Sequence, residues 1–96
     1  MKAGSLCTAN LFLADNVDHK GAMVSKILGQ FTLGGKDFSA NRWRFDVLDA
    51  SYSDIRDKLV KGLAKHLDPQ KQSCLSYIGK DGVFTILVRD GEVVCA

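Results

Sequence analysis

The sequence contains little cysteine and little proline. Only three of its 96 residues are cysteines, and only one is proline. The cysteines, Cys7, Cys74 and Cys95, are odd in number and far apart, which argues against a disulfide framework and indicates a reducing compartment. We therefore predict core thiols and a cytoplasmic protein.

Signatures of catalysis and of metal binding are also missing. A zinc site needs Cys and His in closely spaced pairs, whereas the nearest candidates, His66 and Cys74, have no second pair. The chain contains no glycine-rich phosphate loop, no Gly-x-Ser-x-Gly elbow and no His-Glu-x-x-His pair. The sequence therefore predicts no catalytic residue, no metal and no cofactor, and hence a protein that is not an enzyme.

Long apolar runs and a large net charge are absent as well. No stretch approaches about 18 uncharged apolar residues, which predicts neither a membrane span nor a secretion signal. The net charge of +2 is too small to indicate a polyanionic partner unless cations cluster on one surface. With 46% hydrophobic and 25% charged residues, the composition is globular, and we predict a single domain over residues 1–96.

The first part of the chain predicts a strand, a helix and a turn. Residues 5–14 alternate in the period-two manner of a strand. Residues 19–28 favour a short helix capped by Asp18, because their apolar residues fall on one side of a helical wheel. The same residues alternate well enough for a long strand, so that alternative stays open. The glycine-rich residues 34–37 form a turn signal and predict a hairpin.

The next segment, "NRWRFDVL", has the cleanest strand pattern in the sequence. Trp43 and Phe45 share one face of the predicted strand, and Arg42 and Arg44 share the other. Because the aromatic face should pack in the core, we expect both arginines to point away from it.

From Ser51 the hydrophobic period becomes that of a helix. Ser51 and Asp54 resemble a capping box, and Pro69 stops the helix. The predicted apolar arc consists of Tyr52, Ile55, Leu59, Val60, Leu63 and Leu67. On the opposite side Asp54 precedes Lys58 by four residues and Asp57 precedes Lys61 by four, so the charged face should be largely neutral, with one positive charge in excess.

Three further strands complete the chain, separated by Asp-Gly turns. The run "VFTILV" is apolar on both faces, which predicts a central strand covered on both sides. The resulting fold class is α+β, with a mainly antiparallel sheet, helices on one face, a ferredoxin-like split βαβ order and a C-terminal hairpin. If residues 19–28 are a strand instead, the order becomes a meander, one helix and a second meander.

A candidate site follows from the outward arginines. Arg42 and Arg44 would project from an uncovered sheet face, and Phe12 could share that face as an aromatic platform, a combination that can stack bases and hold phosphates. The run "LFLADN" resembles the first-strand signature of the RNA-recognition-motif family, and the resemblance implies a stacking role for Phe12. The third strand lacks the basic-Gly-aromatic-Gly-aromatic signature of that family.

Two functional hypotheses follow. The first is a small non-enzymatic binding protein, acting as a regulator, inhibitor or adaptor through protein contacts. It would form a homo-oligomer through the exposed edge of the last strand or through the uncovered face. The alternative is a module that binds single-stranded RNA or DNA through Phe12, Arg42 and Arg44.

Overall fold

The strands of the computed structural model, which describes residues 4–15 and 17–95, form one antiparallel sheet. Their bounds are β1 Leu6–Phe12, β2 Thr32–Phe38, β3 Arg42–Leu48, β4 Ser73–Gly79, β5 Gly82–Arg89 and β6 Glu92–Cys95. In space the order is β2-β3-β1-β4-β5-β6. The predicted α+β class and the mainly antiparallel sheet are therefore confirmed.

The first helix, α1, spans Ala22–Leu28 and joins β1 to β2. The helical interpretation of residues 19–28 is thus correct, and the alternative with two meanders is wrong. The predicted cap at Asp18 is also wrong, because the N-cap residue is Gly21. The Asp18 carboxylate instead accepts a hydrogen bond from the backbone N–H of Lys20 at 2.9 Å.

The second helix, α2, runs between β3 and β4 in four consecutive pieces. They are an α-helical turn at Tyr52–Asp54, a π-helical segment at Ile55–Val60, an α-helical turn at Lys61–Leu63 and a 3₁₀ turn at Ala64–His66. The predicted cap is confirmed, since the Ser51 hydroxyl accepts the backbone N–H of Asp54 at 3.1 Å. The wider π turn places Leu59 and Val60 on the buried side together.

Both helical connections pass over one intervening strand. β1 and β2 are each antiparallel to β3, which lies between them, so they are parallel to each other and α1 connects them. In the same way β3 and β4 flank β1, and α2 connects them. Parallel strands need a long crossover, and the helices supply it. β5 and β6 then follow β4 as successive hairpins.

The turn predicted at residues 34–37 is wrong. β2 continues through these residues with a bulge, where its register against β3 shifts between Gly34 and Asp37. Gly35 has a positive φ of 54° within this irregular segment. The glycine is therefore part of a bulge in the strand and does not reverse the chain. The chain reverses instead between Phe38 and Arg42.

The core lies between the sheet and the two helices. Trp43 and Phe45 are 1% and 2% exposed, which confirms the predicted buried face of β3. The apolar arc of α2 packs onto this layer through Ile55, Leu59, Val60 and Leu63, and Leu67, just after the end of the helix, is buried as well. Tyr52, the remaining predicted member, is half-buried and packs against Phe84, with the rings tilted by 31° and their centroids 4.3 Å apart.

Candidate interaction surface on the open sheet face

The helices cover one face of the sheet, and the opposite face is open in the described part of the chain. Because side chains alternate along a strand, the residues between the buried ones point to this open face. Arg42 and Arg44 are both exposed there, between the buried Trp43 and Phe45. Both arginines therefore point away from the core as predicted, although their binding role stays a prediction.

An apolar row crosses one end of the open face. In register across four neighbouring strands it consists of Leu48, Leu6, Ile78 and Val83. Their side chains are 37%, 39%, 57% and 75% exposed, in that order, and they make up four of the six large exposed hydrophobic side chains in the described residues. Adjacent strands lie about 4.8 Å apart, so these side chains form a continuous strip.

The run "VFTILV" on β5 is apolar on both faces and includes Val83 of this row. The prediction that both faces of β5 are covered is wrong, because only one of them is. Ile86 and Val88 are buried, whereas Val83 is exposed on the open face. An apolar strand face can mark an interaction surface as well as a core, and only the positions of the helices distinguish the two.

A basic corner, composed of Phe12, Arg42, Arg44 and Lys71, occupies the other end of the open face. Phe12 and Arg42 are direct neighbours across β1 and β3. The Lys71 ammonium lies 5.5 Å from the centre of the Phe12 ring, within the distance for a cation–π contact. The structure thus brings together all three predicted site residues and adds Lys71, which the sequence analysis missed because it lies in the loop before β4.

The backbone of Phe12 is fixed on both sides. Its N–H donates to the hydroxyl of the buried Ser73 at 2.9 Å, and its carbonyl accepts the N–H of Asp68 at 2.8 Å. These bonds join the end of β1 to the segment that leads into β4. The ring is half-buried on this support. The backbone position from which the ring projects is therefore fixed.

Polar residues separate the basic corner from the apolar row. Arg44 faces Asp37 across β2 and β3, and Asp46 follows on the same face of β3. With Thr8 and Gly35 they line a shallow depression of about 360 Å³. The two carboxylates offset part of the charge of Arg44. Ion pairing in the described residues is confined to the other side of the molecule.

The predicted ion pairs on the charged face of α2 are confirmed, and they neutralise this face in part. Lys58 lies 3.5 Å from Asp54, and Lys61 lies 3.5 Å from Asp57. Arg56 hydrogen-bonds Asp57 at 3.0 Å, which lowers the pKa of the Asp57 carboxyl. Three cations of this helix are therefore engaged by carboxylates, in contrast to the cations of the basic corner.

Groups that could hold a metal are not clustered in residues 4–15 and 17–95. No three His, Cys, Asp or Glu side chains in these ranges lie close enough together to bind an ion. No helix in these ranges is long and apolar enough to cross a membrane. Asn16, the last residue of the run that resembles the RNA-recognition motif, lies outside the described residues, as does the side chain of Cys95.

Comparisons with models of protein families, with curated proteins and with solved structures found no match.

The thiol of Cys7 is the most strongly perturbed group. Cys7 is fully buried, and burial together with the nearby Asp46 charge raises its pKa from 9.0 to about 12. Near pH 8 this lowers the thiolate fraction by about a thousandfold. Because the native pKa exceeds the unfolded one, the stabilisation linked to the neutral thiol is complete below pH 9 and is lost as the pH rises toward about 12.

We therefore expect native Cys7 to resist alkylation by iodoacetamide near pH 8 and to react rapidly once the chain is unfolded. Peptide mapping by mass spectrometry gives the rate for each cysteine, and the half-buried Cys74 is the internal comparison. Equal labelling rates of Cys7 in the native and unfolded chain would contradict this account of the thiol.

Proposed function

We propose that this chain is a small non-enzymatic binding protein that acts through protein contacts, as a regulator, inhibitor or adaptor, and associates with a second copy of itself through the apolar row. The supporting observation is the continuous strip of four exposed apolar side chains across the open face. Contiguous exposed apolar surface of this kind marks interaction sites in soluble proteins. The free thiols of Cys7 and Cys74 support a reducing compartment, and we assign the protein to the cytoplasm.

The strand order supports the same picture of an open binding face. Two helical connections that each pass over one strand, followed by a C-terminal hairpin, are what a ferredoxin-like split βαβ arrangement would give, and we adopt that description as part of the proposal. Such an arrangement keeps both helices on one face, so the other face is free for a partner.

A second copy fits the apolar row better than it fits the sheet edges. β6 is an edge strand, as predicted, and β2 is the other edge. The register is shifted within the β2–β3 pairing and again within the β5–β6 pairing, and such irregularities hinder edge-to-edge pairing. A contact through the row needs no strand pairing, because a two-fold axis brings the same apolar strip of each copy together.

The charges limit how far two open faces can overlap. The basic corner lies at the end of the face away from the row, and complete overlap would bring cations of the two copies close together. The contact should therefore be confined to the end that carries the row. An interface of that extent lies at the low end of specific protein contacts, so we expect a dimer that dissociates on dilution.

Light scattering across a range of protein concentrations tests this proposal. We expect wild-type protein to shift from monomer to dimer as its concentration rises, and the Ile78→Lys variant to stay monomeric. The matched control is Met23→Lys, which adds the same single charge at a similarly exposed apolar position, 61% exposed against 57% for Ile78, on the helical side. All variants should keep the unfolding free energy within about 0.5 kcal/mol of wild type, since the sites are at the surface.

Two outcomes would refute self-association through the row. The first is a wild-type protein that remains monomeric at the highest concentration reached. The second is a control variant that dissociates as completely as the row variant, because the dimer would then depend on net charge or on the helical side.

A further inference from the structure

Beyond the protein contact, we propose that the basic corner binds single-stranded nucleic acid, with one base stacked on Phe12 and the adjoining phosphates held by Arg42, Lys71 and Arg44. The site is separate from the apolar row. Leu6 and Phe12 lie six residues apart on β1, which corresponds to about 20 Å along the strand. Changes at one end of the face can therefore be tested without touching the other.

The cations of the basic corner keep their charge available for a ligand. Among the described residues the ion pairs lie on α2, and none of them includes Arg42, Arg44 or Lys71. Arginine is suited to phosphate because its planar guanidinium can donate two parallel hydrogen bonds to the same group. Asp37 and Asp46 offset part of the charge of Arg44, so Arg42 and Lys71 supply most of the attraction.

The aromatic ring gives the corner a second binding element. Phe12 lies between Arg42 on the neighbouring strand and the Lys71 ammonium, 5.5 Å from the ring centre. Its backbone is fixed by the hydrogen bonds to Ser73 and Asp68. A fixed backbone at this position means that stacking of a base need order only the side chain of Phe12. Stacking of this kind tolerates any base, because every base has a flat π surface.

The combination favours a nucleic acid over an acidic polypeptide. An acidic polypeptide could form ion pairs with the three cations, but its carboxylates would make no favourable contact with the aromatic ring between them. A nucleotide satisfies both, since its base can take the place of the Lys71 ammonium over the ring, while Lys71 and the two arginines contact its phosphates. Trp43 and Phe45 point into the core, so the corner offers one stacking platform, and we expect modest affinity with little sequence preference.

Fluorescence anisotropy with a labelled oligothymidylate tests the proposal. With two to three phosphate contacts, the affinity should fall by roughly 7- to 20-fold between about 50 and about 200 mM salt. The Arg42→Glu, Arg44→Glu variant should lose binding. Lys58→Glu, Lys61→Glu is the matched control, because it makes the same change in net charge on the helical side, and it should retain most of the affinity.

A second pair of measurements identifies the ligand class. Phe12→Leu should weaken oligonucleotide binding by about tenfold through the loss of base stacking, and labelled polyglutamate of equal charge should bind far more weakly than the oligonucleotide. No oligonucleotide binding at the lower salt concentration would overturn the proposal. Equal loss in the helical-side control would also overturn it. So would polyglutamate binding as tight as that of the oligonucleotide with no effect of Phe12→Leu, which would indicate an acidic polypeptide partner.

Discussion

Replacing Trp43 by alanine is expected to lower the free energy of unfolding by about 3–5 kcal/mol. The side chain is 1% exposed and packs edge-on against Phe38, with ring centroids 5.3 Å apart. Its removal would leave a large cavity in the core beside Leu11 on β1. Domains of this size have about 5–15 kcal/mol of stability in total, so the variant should lose a large part of it.

Urea unfolding followed by circular dichroism measures this loss. The control is Arg44→Ala, the next residue on the same strand, whose exposed side chain should change the unfolding free energy by less than about 0.5 kcal/mol. Equal losses in the two variants would mean that the alternation of β3 has been assigned to the wrong faces. Trp43 is the single tryptophan, so its fluorescence in the wild type reports independently on whether the indole is buried.

Leu59→Ala is expected to cost about 2–5 kcal/mol of unfolding free energy. Leu59 is fully buried on the π-helical segment of α2 and lies against Leu11, Leu75 and Val88 of the sheet, with no room between them for a water molecule. The change would remove one of the contacts between α2 and the strands β1, β4 and β5. The surrounding strands are hydrogen-bonded to one another and can close the cavity only in part.

The neighbouring residue provides the comparison for Leu59. Lys58→Ala removes an exposed side chain and one surface ion pair, which should cost about 0.3–0.5 kcal/mol. Thermal and urea unfolding of both variants would reveal the difference. A loss from Leu59→Ala as small as that from Lys58→Ala would show that α2 does not pack on the sheet through this residue.

Periodicity alone predicted the two segments with the strongest patterns. The alternation of β3 assigned Trp43 and Phe45 to the core and turned both arginines outward. The helical wheel identified the buried residues of α2 and its surface ion pairs, even though the helix contains a π turn. These patterns are reliable because each side chain on a strand or a surface helix faces either the core or the solvent. Burial of the large apolar groups determines which face is turned inward.

The glycine-rich segment of β2 and the cap of α1 were harder to interpret than the cap of α2. Gly35 was assigned to a turn and lies in a bulge, because a positive φ serves either purpose and the choice depends on how β2 pairs with β3. Asp18 was assigned to a cap and stabilises the preceding turn instead. The local sequence limits the backbone conformations that a residue can adopt. The pairing of distant segments then determines which of these conformations occurs.

The amino-acid sequence determined the class of fold, the buried aromatic face of β3 and the amphipathic second helix, because these depend on burial patterns that recur within a few residues. Only the tertiary structure decided which strands from distant parts of the chain are neighbours, and it thereby lined up Leu6, Leu48 and Ile78 in one row and brought Lys71 to Phe12. These residues are far apart along the chain, whereas Val83 joins the row through the β4–β5 hairpin. The proximity of the distant residues comes from strand order and register, which no local pattern encodes.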